Sequence, residues 1–161
     1  MVTDAERHFI EKVGVYFEQI GFPRMGGRIF AWLLISESPQ ASMAELMEAL
    51  QASKSSISSM TRLLIQVELI EVVSVPGMRR DYFRIRDDAW TTALKDRLAQ
   101  AFTFRQLAAE GLILLQNSSP ARKKRLKEMH LMYTFLEREI PLLLERWEKE
   151  RASQLKSSKS A

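Results

Sequence analysis

Between residues 42 and 86 the chain passes from a helical to a strand-like hydrophobic period within a short span, and few folds accept that order. Ser42-Met-Ala-Glu45 has the form of a capping box: the serine hydroxyl covers a free helix N–H and the glutamate reaches back to the serine amide. A short helix over 42–50 should follow. Gln51-Ala52 leaves only a tight link before Ser53 caps a second helix over 53–67, whose inner stripe is Ile57, Met60, Leu64 and Val67. Two short helices joined in this way form a helix-turn-helix. Residues 69–75 are then rich in β-branched side chains, Pro76-Gly77 marks a turn, and residues 81–86 alternate. A two-stranded hairpin in that place is a wing. The expected fold is mainly α with a small β-wing, a winged helix-turn-helix whose DNA-binding core is 22–87.

The flanks predict dimerisation helices. Phe9, Ile10, Val13, Phe17 and Ile20 recur at helical spacing over 4–20, and Gly21 ends that helix. Pro23 suits the first turn of a second helix, over 23–36, in which Gly26 and Gly27 allow close approach of helices. Residues 37–41, with Pro39, read as a loop. Asp87-Asp88 and Thr91-Thr92 offer caps for a helix over 89–116, which Asn117-Ser-Ser-Pro120 breaks. Over 119–150, Leu126, Met129, Tyr133, Leu136, Ile140, Leu143 and Trp147 alternate spacings of three and four, a heptad seam suited to a partner helix. Pro141 should kink it. Helices 4–20, 89–116 and 119–150 are assigned to a homodimer, in one domain over 1–152, and the Ser/Lys-rich 153–161 to a disordered tail.

Charge sharpens the site more by its distribution than by its sum of +4. Residues 121–161 hold 11 basic and 6 acidic side chains, which reads as a solvated helix face and tail. Residues 53–67 hold Lys54 and Arg62 and no acid, and four arginines stand at 79, 80, 84 and 86. With Ile57, Met60 and Leu64 inward, Lys54, Ser55, Ser58, Ser59 and Arg62 face outward and Ser56 lies near the boundary. Phosphate repels carboxylates, whereas serine hydroxyls donate to phosphates or touch base edges, and arginine binds guanine or phosphate. Ser42 and Ser53 sit at helix N-termini, which favour a phosphate; both serve equally well as plain caps. Arg79 and Arg80 on the wing tip can flank phosphates or enter a narrow minor groove. Asp81 is read as orienting a neighbouring arginine.

Other readings are weaker. His8 and His130 lie in different helices without further ligands, so no metal and no cofactor are expected. Asp87-Asp88 does not converge as a catalytic pair, and no enzymatic constellation is present. Trp32, Trp90, Phe102, Phe104 and Trp147 can line an effector cavity, although aromatics at helical spacing more often form core. The N-terminus lacks an apolar h-region and no apolar run nears the ~18 residues of a membrane span, so a cytoplasmic location is expected. The alternative to a DNA reader is a winged-helix module that binds protein.

The succession resembles MarR-type regulators, and within them the GbsR-like, choline-responsive branch. The matching stretches are Gly21-Phe-Pro-Arg-Met-Gly-Gly-Arg28, Ala44-Glu-Leu-Met-Glu-Ala-Leu50, Ser53-Lys-Ser-Ser-Ile-Ser-Ser-Met-Thr-Arg-Leu-Leu64 and Val75-Pro-Gly-Met-Arg-Arg-Asp-Tyr-Phe83. The resemblance implies a dimer platform of the first, fifth and sixth helices, a palindromic double-stranded DNA site, and control by ligand or stress, the ligand choline-like or aromatic; the mechanism expected is repression by promoter occlusion, released by a small-molecule effector. Two positions depart from the pattern. Glu68 stands where a glycine usually follows the reader helix, so a different helix ending is expected, because a left-handed cap is costly for a non-glycine. Met78 replaces an aspartate before the arginine pair, which weakens the usual wing salt bridge.

Overall fold

In the computed structural model, residues 2–74, 77 and 80–157 are described. The elements are α1 (Asp4–Gln19), α2 (Arg24–Ile35), β1 (Ala41–Ser42), α3 (Met43–Leu50), α4 (Lys54–Gln66), β2 (Ile70–Ser74), β3 (Asp81–Ile85), α5 (Ala89–Leu114) and α6 (Pro120–Ser157). Residues up to Ala93 form one compact unit, and those from Leu94 a second.

The first unit is built on a close pair of helices. Thr3 and Glu6 form a capping box that starts α1. Gly21, at φ +83°, ends it: its N–H donates to the Glu18 carbonyl at 3.1 Å, and the Phe22 N–H to Phe17 at 2.9 Å. These two bonds make a Schellman cap, which favours glycine in the left-handed position. Pro23 stands just before α2, as its N-cap, rather than within the first turn. The expected close approach is present. A Cβ on Gly27 would lie 2.7 Å from Phe17 Cβ and 2.9 Å from Gly14 Cα.

Ile10 and Phe17 of α1, Ile29 and Phe30 of α2, Leu46 and Leu50 of α3, and Ile57 and Leu64 of α4 form the core with Ile70 and Phe83. The sheet has the order β1-β3-β2, all antiparallel. Residue pairs Val72↔Phe83 and Glu71↔Arg84 fix the wing register. β1 corrects the reading of 37–41 as loop throughout: Ala41 pairs with Phe83 and Ser42 with Tyr82. Two residues are too few to show alternation.

The second unit is an antiparallel hairpin of α5 and α6. Phe104 stacks on Tyr133 at 5.4 Å between centroids, and Arg105 pairs with Glu137 at 2.5 Å. Lys95 meets Glu148 at 3.4 Å, and a Cβ on Gly111 would lie 2.9 Å from Leu126. α6 continues through Pro141 to Ser157. Residues 153–157 are therefore helical rather than tail, since nothing after Pro141 breaks the helix; 158–161 lie outside the described residues. The seam holds as half-buried side chains from Leu126 to Ile140. Beyond Pro141 it moves by one position: Leu144 is 8% exposed, whereas Leu143 is 52% exposed.

Candidate nucleic-acid interface

Helix α4, the expected reader, is fixed from three sides. Its inner face buries Ile57, Thr61 and Leu64. Thr61 takes more of the interior than Met60, and its hydroxyl is satisfied by donating to the Ile57 carbonyl at 2.9 Å. Before it, the turn from α3 passes through Gln51 in the left-handed conformation, with the Ala52 N–H donating to Met47 at 3.1 Å. After it, Glu68 has φ +58°. The Glu68 N–H donates to Ile65, and the Leu69 N–H to Leu64, both at 3.0 Å.

That last geometry overturns the expectation of a different helix ending. α4 closes with the same two bonds as α1, with glutamate in the glycine position. The Glu68 carboxylate lies 3.3 Å from Arg86 Nη1, and Arg86 also binds Asp88 at 2.9 Å. Arg86 thus ties the end of α4 to the start of α5. Its hydrogen bond holds the Asp88 carboxyl below the usual carboxylate range. Replacing Glu68 with glycine removes a left-handed strain of about 1–2 kcal/mol and loses an exposed ion pair of about 0–1 kcal/mol. Glu68→Gly should therefore be more stable, with a melting temperature about 2 °C higher. Calorimetry checks this; a lower Tm would contradict the strain argument.

The outer face of α4 carries Lys54, Ser55, Ser59 and Arg62, all exposed, with Ser56 and Ser58 half-buried beside them. Ser53 is exposed and caps the helix, its hydroxyl accepting from the Ser56 N–H at 3.3 Å and lying 3.0 Å from the Ser55 hydroxyl. Arg62 Nε donates to the Ser58 carbonyl at 3.2 Å. Among the described residues no carboxylate pairs with Lys54 or Arg62.

Ser42 lies apart from this face. It is 4% exposed, its hydroxyl accepts from the Glu45 N–H, and its own N–H donates to the Glu45 carboxylate at 2.6 Å. Those bonds hold the Glu45 carboxyl below its ordinary range, so a negative charge guards this helix start. Ser42 takes the capping role and is not presented to a phosphate.

On the wing, two of the four arginines are used internally. Arg84 Nε donates to Glu71 across the strands at 2.6 Å, and Arg86 makes the link above. The signal was in the sequence, because 71 and 84 are equidistant from the turn. Arg80 is exposed, has no ion pair among the described residues, and lends its positive charge to Glu45. Arg79 lies outside the described residues. Asp81 is exposed opposite Ser74, and no Asp81–Arg80 pair occurs among the described residues.

Trp90 is 56% exposed and meets Phe30 edge-on at 5.5 Å; Phe104 and Trp147 are also exposed. His8 is exposed and His130 half-buried. Among the described residues no group of three metal-binding side chains occurs, and no helix is long and apolar enough to cross a membrane.

This wing-flanked, acid-free helix fits a DNA reader, and comparison with known proteins decides the family. The chain is 36% identical over 139 residues to the HTH-type transcriptional regulator MmpR5 of Mycobacterium tuberculosis, across 86% of this chain and 84% of that protein. The chain belongs to the MarR family. Its residues 88–150 match a family model described as MmpR5-like MarR family transcriptional regulator. A crystal structure described only as that of a transcriptional regulator superposes with a TM-score of 0.72 at 35% identity, over 90% of this chain and 99% of the other. This MarR-family protein is a DNA-binding transcriptional regulator, and its relatives are regulators rather than enzymes.

Proposed function

We propose that this MarR-family regulator binds a palindromic duplex as a homodimer and represses by occluding a promoter. Each protomer lays the outer face of α4 in the major groove and sets Arg79 and Arg80 of its wing against adjacent phosphates. The observation that carries the reading is the face itself: Lys54, Ser53, Ser55, Ser56, Ser58, Ser59 and Arg62 without a carboxylate. A helix entering the groove passes between two phosphate rows, so its side chains must donate or be neutral. Arg62, held at the Ser58 carbonyl by Nε alone, keeps its two terminal nitrogens for the O6 and N7 of guanine.

The homodimer is supported by apolar surface that one chain leaves open. Tyr16 of α1 is 57% exposed, Leu107 of α5 51%, and Leu131 of α6 67%. These positions lie on the three helices assigned to the homodimer, outside the seam that α6 packs on α5. The reading assigns the chain no catalysis. An effector would act by binding the two dimer states with different affinity. The GbsR-like resemblance implies a choline-like or aromatic effector, whereas the family model that residues 88–150 match is MmpR5-like.

The test is titration of a duplex selected from a random pool, and of a scrambled duplex, at several salt concentrations. Arg62→Ala should lose about 1–3 kcal/mol of binding to the selected duplex and little to the scrambled one. Arg79→Ala with Arg80→Ala should weaken both and reduce the salt slope by about 0.9 for each phosphate no longer neutralised. Parent-like binding by both variants at every salt concentration would show that the site is misassigned.

A further inference from the structure

Arg28 closes the glycine-rich stretch 21–28, which the reader face does not use. Its stem passes α1 where Gly14 leaves room: a Cβ on Gly14 would lie 2.9 Å from Arg28 Cγ and 3.1 Å from the Arg24 carbonyl. The guanidinium then divides between two elements. Nε lies 2.7 Å from Glu11 Oε1 on α1, off the hydrogen-bond axis. Nη2 donates to the Leu50 carbonyl at 3.1 Å. The other Glu11 oxygen accepts from Arg24 at 2.8 Å, so the carboxylate is held from both sides.

Leu50 is the last residue of α3, and its carbonyl is among those a helix end leaves unpaired. A cation there also meets the negative end of the helix dipole. Gln51, in the left-handed conformation, follows directly and turns the chain into α4. A cleft of about 150 Å³, lined in part by Arg7, Ile10 and Ala49, lies between α1 and this turn, and Arg28 and Glu11 border it. The arginine therefore braces the turn across open space.

We infer that Arg28 is a positioning residue for DNA recognition: through Glu11 and the Leu50 carbonyl it sets the angle of α4 against α1. The inference rests on α4 being the reader. Arg62 lies eight residues beyond the N-terminus of α4, about 12 Å along the axis, so a tilt of about 10° would move it by about 2 Å. Base readout does not survive that displacement, whereas general phosphate attraction does.

The experiment uses the full-length protein, the selected duplex and its scrambled counterpart, at a temperature where melting curves show each variant folded. The parent's preference for the selected duplex tests the reading of α4 itself; the ratio of variant to parent tests Arg28. Arg28→Met keeps the stem and should bind the selected duplex about 10-fold more weakly, with scrambled binding unchanged. Arg28→Lys should recover most of that loss. Glu11→Gln should lose about 3-fold, and it carries the test alone if Arg28→Met does not fold. The double variant should be no worse than Arg28→Met, because both break one link. Parent-like discrimination by the single variants, equal loss on both duplexes, or losses that multiply in the double variant would overturn the inference.

Discussion

The Ser55→Glu, Ser59→Glu double variant should lose about 100-fold or more in affinity for the selected duplex while remaining folded. Both serines are exposed on the outer face of α4. Each glutamate would place a carboxylate between phosphate rows, and like charges brought together at an interface cost several kcal/mol. A net loss of only about 3 kcal/mol already gives about 100-fold. The helix itself should tolerate the change. Two glutamates four residues apart repel by about 0.5 kcal/mol, and the one in the first turn is favoured by the helix dipole. Fluorescence anisotropy reads the affinity and circular dichroism the fold. The Ser55→Gln, Ser59→Gln control carries the same bulk without charge and should stay within about 10-fold of the parent. Parent-like affinity in the glutamate variant would place α4 outside the interface.

Gly27→Val should produce the largest loss of stability. The added Cβ would lie 2.7 Å from both Cβ and Cγ of Phe17 and 2.9 Å from Gly14 Cα. None of these is the free end of a flexible side chain, so α1 must move away from α2. Phe17 belongs to the core, and the shift would disturb its packing on Phe22 and Phe30, each at 5.5 Å between ring centroids. Overpacking of this kind costs about 3 kcal/mol, which lowers the Tm of a chain this size by about 6–12 °C. Calorimetry checks it. A Tm within about 2 °C of the parent would mean that the helices approach less closely than described.

Most of the winged helix-turn-helix is legible because its signals are local. Ser42 and Glu45 announce a helix start by spacing alone, and the structure shows both capping bonds. Ile57 and Leu64 mark the buried side of α4, from which its exposed side follows. What escapes depends on partners distant in sequence. β1 exists only because Ala41 and Ser42 meet β3. Arg28 finds Leu50, and Arg86 finds Glu68, through the folded chain. Glu68 departs from expectation for an energetic reason: the cost of a left-handed glutamate is real but small beside two satisfied helix-end bonds and the core around Leu64. The same serine chemistry also reads two ways, and only burial separates Ser42, a cap inside the fold, from Ser53, a cap on the surface.

Protection of guanine N7 from methylation on the selected duplex tests the central claim most directly, because N7 is accessible only in the major groove. Two α4 helices related by a two-fold axis should protect guanines in two patches about 10 base pairs apart, one turn of DNA. Arg62→Ala should release a guanine within each patch. Protection in both patches with that selective release is the result predicted. Unprotected N7 positions, or patches that Arg62→Ala leaves unchanged, would contradict α4 as the reader.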